Sequence, residues 1–77
     1  MKYRLFTTPQ CKGCGPVKEY LKQRLAGEEI DASTEDGAQL ALDNNILSAP
    51  TVIFTDEQGN EVGRANNLAD VRNILTG

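Results

Sequence analysis

The 77-residue chain has no histidine and no tryptophan, and only two cysteines. Aromatic residues make up 5% of it, too few and too scattered for a base-stacking platform. There is no basic run, and the formal net charge is −3. Nonspecific nucleic-acid binding wants a basic face, so nucleic acid is not an expected partner. No apolar run approaches the roughly 20 residues of a membrane-spanning helix. The start, Met1-Lys2-Tyr3-Arg4, is too short and too polar a lead-in for the apolar core of a secretory signal. No membrane partner and a cytoplasmic location are therefore expected. A small secreted scaffold would carry four or more cysteines spread along the chain. Here the two cysteines are Cys11 and Cys14, and a ring that small constrains the unfolded chain little.

The remaining composition is that of one domain with a small core. Lys2 to Thr7 reads as a first strand. A helix follows the loop at Thr8-Pro9-Gln10, with Val17, Tyr20, Leu21 and Leu25 on one face. Gly27 is its expected stop. Glu28 to Ala32 reads as a short strand. Ser33 with Asp36 resembles a capping box for a second helix whose inner face is Ala38, Ala41 and Leu42, ended by Asn44-Asn45. Thr51 to Thr55 is the strongest strand signal. Asp56 to Asn60 is a turn, and Glu61 to Arg64 returns as a hairpin partner. Asn67 is placed to cap a last helix with core residues Leu68, Val71, Ile74 and Leu75.

The order β-α-β-α-β-β-α places the chain in the α/β class. The first half demands parallel strands with right-handed crossovers, and the hairpin adds an antiparallel edge. Four strands in a mixed sheet of order 2-1-3-4 are expected, with helices on both faces.

The chemistry-bearing feature is Cys11-Lys12-Gly13-Cys14, which falls between the first strand and the first helix. Unpaired N–H groups and the dipole at a helix start both favour a thiolate. In such settings a cysteine pKa falls from about 8.5 to roughly 3.5–7.5. Lys12 adds a neighbouring cation, and Lys18 lies one turn beyond Cys14. Cys11 is thus a candidate nucleophile. Cys14, three residues on, can reach the mixed disulfide that Cys11 forms and release its substrate. Pro16 fits the first turn of the helix only if Gly13 caps it. The helix is therefore expected to begin near Gly13-Cys14, which weakens the dipole's hold on Cys11. A structural disulfide, inert buried thiols and a metal site are the competing readings. Tetrahedral zinc wants four nitrogen or sulfur ligands, and two sulfurs without an imidazole would need a second chain or an external thiol.

Phe6-Thr7-x-x-x-Cys11-x-x-Cys14 followed by Val17-Lys18-x-Tyr20-Leu21 resembles the active-site segment of small glutaredoxins. Ile46-x-x-Ala49-Pro50-Thr51-Val52 resembles the segment before the third strand across the thioredoxin superfamily, and Glu61-Val62-Gly63 the end of the fourth strand in glutaredoxins. The resemblance covers essentially the whole chain and implies a thioredoxin-like fold of glutaredoxin type. It implies a thiol–disulfide oxidoreductase that reduces protein or mixed disulfides, with Cys11 as nucleophile and Cys14 as resolving thiol. Pro50 would be cis beside the redox-active disulfide, with the Ala49 backbone pairing with a substrate strand. Lys12, Gly63 and Arg64 would contact substrate as well, Arg64 either clamping a glutathione carboxylate or blocking the groove. A solvated surface arginine is the alternative.

Several positions depart from that pattern. Lys12-Gly13 stands where glutaredoxins carry a proline and an aromatic, and Gly63-Arg64 where they carry two glycines. Thioredoxin's buried strand acid corresponds to Leu5, and no buried general base is visible in the sequence. A related small redoxin that reduces ribonucleotide reductase draws electrons from thioredoxin reductase, so the donor is either glutathione or that reductase. A monomer without a tightly bound cofactor is expected. Thiolate metal or iron–sulfur cluster carriage by the same pair is the alternative function.

Overall fold

The computed structural model describes residues 1–76. Seven elements run β1 (Lys2–Thr7), α1 (Cys14–Lys22), β2 (Ala26–Asp31), α2 (Glu35–Asp43), β3 (Thr51–Thr55), β4 (Glu61–Ala65) and α3 (Leu68–Thr76). The four strands form one sheet in the order β2-β1-β3-β4, as the element order predicts.

β1 and β3 hold the centre of the sheet because they are its apolar strands. Leu5, Phe6, Val52 and Phe54 are wholly buried. Successive side chains of a strand point to opposite faces, and two cores result. Tyr3, Leu5, Val52 and Phe54 pack on one face with Val17 and Leu21 of α1 and Val71 of α3. Phe6 and Ile53 pack on the other with Ala41 and Ile46. Helices thus cover both faces, α1 and α3 together and α2 opposite.

β1 and β2 run parallel, with Leu5 opposite Glu29. β3 runs antiparallel to β1, with Phe6 opposite Thr51, so the parallel arrangement expected of the first half is confined to β1 and β2. The reason is where α2 delivers the chain. Residues 35–50 return it to the end of the sheet at which β2 stops, and β3 starts there and runs back. That geometry puts residues 49–51 beside the loop that follows β1.

Four local expectations are corrected. α1 ends at Lys22 with Gln23 as its C-cap, and the N–H groups of Arg24 and Leu25 both donate to the Leu21 carbonyl. Gly27 is not a helix stop but lies within β2 opposite Tyr3, where a Cβ would collide with the Tyr3 ring and carbonyl. β2 therefore begins two residues before the expected Glu28. The α2 N-cap is Thr34, whose Oγ1 accepts from the Gly37 N–H at 3.0 Å. Ser33 instead donates through its hydroxyl to Asp31 Oδ1 at 2.6 Å. Leu42 is 64% exposed rather than part of the inner face of α2. The remaining caps match: Asn45 takes a φ of 58° just past α2, and Asn67 Oδ1 accepts from the Asp70 N–H at 2.8 Å at the start of α3.

Candidate active site

β1 ends at Thr7, a turn closes where the Cys11 N–H donates to the Thr8 carbonyl at 3.1 Å, and α1 starts at Cys14. Gly13 is the N-cap, as the position of Pro16 requires. Cys11 and Cys14 form a disulfide with their Cα atoms 5.5 Å apart. The two sulfurs differ in setting. Cys14 is buried, 7% exposed, on the first residue of α1. Cys11 is half-buried in the loop ahead of it, between exposed neighbours Gln10 and Lys12. The first turn of α1 carries neither a side-chain cap nor an acidic residue. Its unpaired N–H groups and positive dipole end are uncompensated where a thiolate would form.

The Ala49–Pro50 peptide bond is cis. Pro50 packs against the cysteine loop: a Cβ on Gly13 would sit 3.6 Å from Pro50 Cδ. The loop that carries Ala49 and Pro50 is fastened at both ends. The buried Thr51 hydroxyl donates to the Ser48 carbonyl at 2.7 Å. At the other end Arg64 Nη1 donates to the Asn44 carbonyl at 2.9 Å. Arg64 also gives Nε and Nη2 to the two oxygens of Glu61, at 3.1 and 2.9 Å. The pair holds the Glu61 carboxyl below the usual carboxylate range and raises Arg64, each chiefly through that hydrogen bond.

Of the residues singled out in the sequence, Cys11, Cys14, Gly13 and Pro50 are thus brought together, with Ala49 bonded to Pro50. Lys12 is exposed beside Cys11. Gly63 and Arg64 lie on β4, at the opposite edge of the sheet from β2. Gly63 faces α3, 3.7 Å from Ile74 Cδ1 measured from an added Cβ. Arg64 is turned to Glu61 and Asn44 rather than to the disulfide. Lys18, read as a cation near the cysteines, is ion-paired with Glu29 of β2, Nζ to Oε2 2.9 Å. That contact and the Glu29 charge raise the Lys18 pKa. Glu29 and Thr7 were not legible as site residues. Only the register of β2 on β1 turns Glu29 toward α1, and a strand with Ile30 as its one large apolar residue gives little alternation from which to read that facing. Among the described residues, no three or more Cys, Asp or Glu side chains converge as a metal site.

No family model matches the chain, and no curated protein matches its sequence. Solved structures do match. Thioredoxin 1 from the thermophilic eubacterium Thermosipho africanus is similar over 99% of this chain and 91% of its own, at 23% identity and a TM-score of 0.79. The chain has the thioredoxin fold. The thioredoxin-like protein BC3987 is similar over 94% of this chain and 97% of its own, at 29% identity and a TM-score of 0.67. Oxidised thioredoxin O2 from Arabidopsis thaliana is similar at 16% identity over 97% of this chain and 71% of its own, with a TM-score of 0.77. On this thioredoxin fold the CxxC disulfide follows β1 and the cis-proline precedes β3. No helix among the described residues is long and apolar enough to cross a membrane.

Proposed function

We propose that this protein is a thiol–disulfide oxidoreductase that reduces protein or mixed disulfides by dithiol exchange. One observation carries the reading: a disulfide between a half-buried Cys11 and a buried Cys14 at an uncapped helix start, with cis-Pro50 packed on the loop between them. In the reduced protein the Cys11 thiolate attacks a substrate disulfide and forms a mixed disulfide, and one substrate sulfur leaves as thiolate. Cys14 then attacks Cys11 Sγ. The Cys11–Cys14 bond forms, the Cys11–substrate bond breaks, and the second substrate sulfur departs with its electron pair. The substrate has gained two electrons and the protein has lost two. The Ala49 backbone, next to Pro50, is the edge along which an extended substrate would lie, and Lys12 lines its approach.

The cycle needs no tightly bound cofactor, because the electrons are carried by the thiols of a single chain. For the electron donor, a flavin-type dithiol reductase such as thioredoxin reductase is the reading we favour over glutathione. Arg64 supports it: three of its five N–H donors are already engaged within the protein, through Nε, Nη1 and Nη2, so a glutathione carboxylate would compete with Glu61 for the guanidinium.

Insulin reduction measures the activity, with NADPH oxidation coupled either to thioredoxin reductase or to glutathione and its reductase. The wild type is expected to turn over with thioredoxin reductase, and Cys11→Ser to lose turnover with either donor. Full turnover by Cys11→Ser would overturn the proposal.

A further inference from the structure

The thiolate is the attacking species in disulfide exchange, so Cys14 must give up its proton to an acceptor before it can attack. The face of β2 that looks toward α1 carries Gly27, Glu29 and Asp31, with no apolar side chain. There, beside the disulfide, lies an open depression of about 310 Å³ lined by Thr7, Cys14, Lys18, Glu29 and Asp31 among others. At about 30 Å³ per molecule it admits several waters.

We propose that the Glu29 carboxylate takes the proton from Cys14 when Cys14 attacks the mixed disulfide on Cys11. The inference rests on the reading of Cys14 as resolving thiol. Glu29 is aimed into the depression by two contacts. Oε2 pairs with Lys18 Nζ at 2.9 Å, and Oε1 accepts from the Thr7 hydroxyl at a long 3.5 Å. The charged and titratable groups around the pair are Lys18 and Glu19 from α1, Tyr3 from β1 and Asp31 from β2. Asp31 is the competing acceptor. Its Oδ1 is occupied by the Ser33 N–H and hydroxyl, which hold its carboxyl below the usual range, so it is the weaker base. Stability alone is a poor reason for the Lys18–Glu29 pair, since ion pairs with both partners about 40% exposed contribute little.

The step balances. With substrate bound as Cys11–S–S–R, the Cys14 proton passes through solvent in the depression to Glu29. The thiolate then attacks Cys11 Sγ, the Cys11–Cys14 bond forms, and R–S⁻ leaves and takes a proton from solvent. Neutral Glu29 frees the Lys18 charge to face the thiolate while it exists, and Glu29 afterwards returns its proton to solvent.

Fast mixing of the reduced protein with Ellman's reagent, a chromogenic aromatic disulfide, separates the two attacks. The first equivalent of coloured thiolate reports Cys11, and the second reports Cys14. Glu29→Gln is expected to slow the second equivalent by about tenfold or more at neutral pH, within the usual range of general-base effects. It should also move the pH profile of that phase upward, while the first equivalent changes little. Glu29→Asp is expected to restore part of the rate. An electrostatic role alone predicts the opposite sign, because removing the Glu29 charge leaves Lys18 unpaired and acidifies Cys14. Wild-type rates for both equivalents across the pH range, a faster second phase, or a slower one with an unchanged pH profile would each overturn the assignment. Absence of a second equivalent from the wild type would instead overturn the resolving role of Cys14.

Discussion

At Gly37, helix propensity and packing oppose each other. Inside a helix, replacing glycine by alanine gains about 1 kcal/mol in propensity. Here a Cβ would strike the Asp31 carbonyl and the Thr34 hydroxyl that caps α2. Backbone at a strand end cannot yield as a flexible side chain can, so packing wins. Gly37→Ala is predicted to destabilise the protein by about 1–3 kcal/mol, read as a lower urea midpoint at unchanged slope. The sequence pointed to a capping hydroxyl at this helix start but chose the wrong one. Ser33 and Thr34 are adjacent and chemically equivalent as caps, and what separates them is Asp31, which takes the Ser33 hydroxyl and N–H for itself. Glu29 was hidden for a similar reason. Its chemistry depends on which way β2 faces, and alternation reverses with every residue of register error.

Among the elements, β1 and β3 were readable because each is a short apolar run bounded by turn residues, and both match their expected limits. α1 began where Pro16 allows. β2 was the weak element. It is an edge strand with Ile30 as its one large apolar residue, so neither alternation nor propensity marks its start, and the contact that fixes it, Gly27 under the Tyr3 ring, is tertiary. The direction of β3 was also not in the pattern, since a helical connection leads to either direction and only the path after α2 decides. The loop between α2 and β3 depends on β4 through Arg64, which joins Glu61 to the Asn44 carbonyl. Its ion pair is partly exposed, so Arg64→Ala is predicted to cost about 0.2–1 kcal/mol in thermal unfolding. Turnover with glutathione as donor should fall no further than that with thioredoxin reductase. A selective loss with glutathione would return Arg64 to a clamping role.

For the whole molecule, the order β2-β1-β3-β4 places the cysteine loop, the cis-proline and the Lys18–Glu29 pair at one end of the sheet, where β1 and β2 end and β3 begins. Surface electrostatics set its pH range. Asp31, Asp56 and Glu61 have carboxyls lowered by the Ser33, Asn60 and Arg64 hydrogen bonds respectively. Groups lowered on folding stabilise above their unfolded values, near pH 4, and that contribution is lost as pH falls through the folded values. Lys18 is raised, so its contribution is present below its unfolded value and lost as pH climbs through the folded one. Thermal unfolding should therefore be nearly level through neutral pH and fall below about pH 4. Asp31→Asn with Asp56→Asn should flatten that fall. The redox chemistry is tested most directly by trapping. Cys14→Ser protein, mixed reduced with a disulfide-bonded peptide, should accumulate a one-to-one covalent adduct whose mass maps to Cys11, while Cys11→Ser forms none. An adduct on Cys14 of the Cys11→Ser protein at an equal rate, or no adduct on either, would contradict attack by Cys11 and release by Cys14.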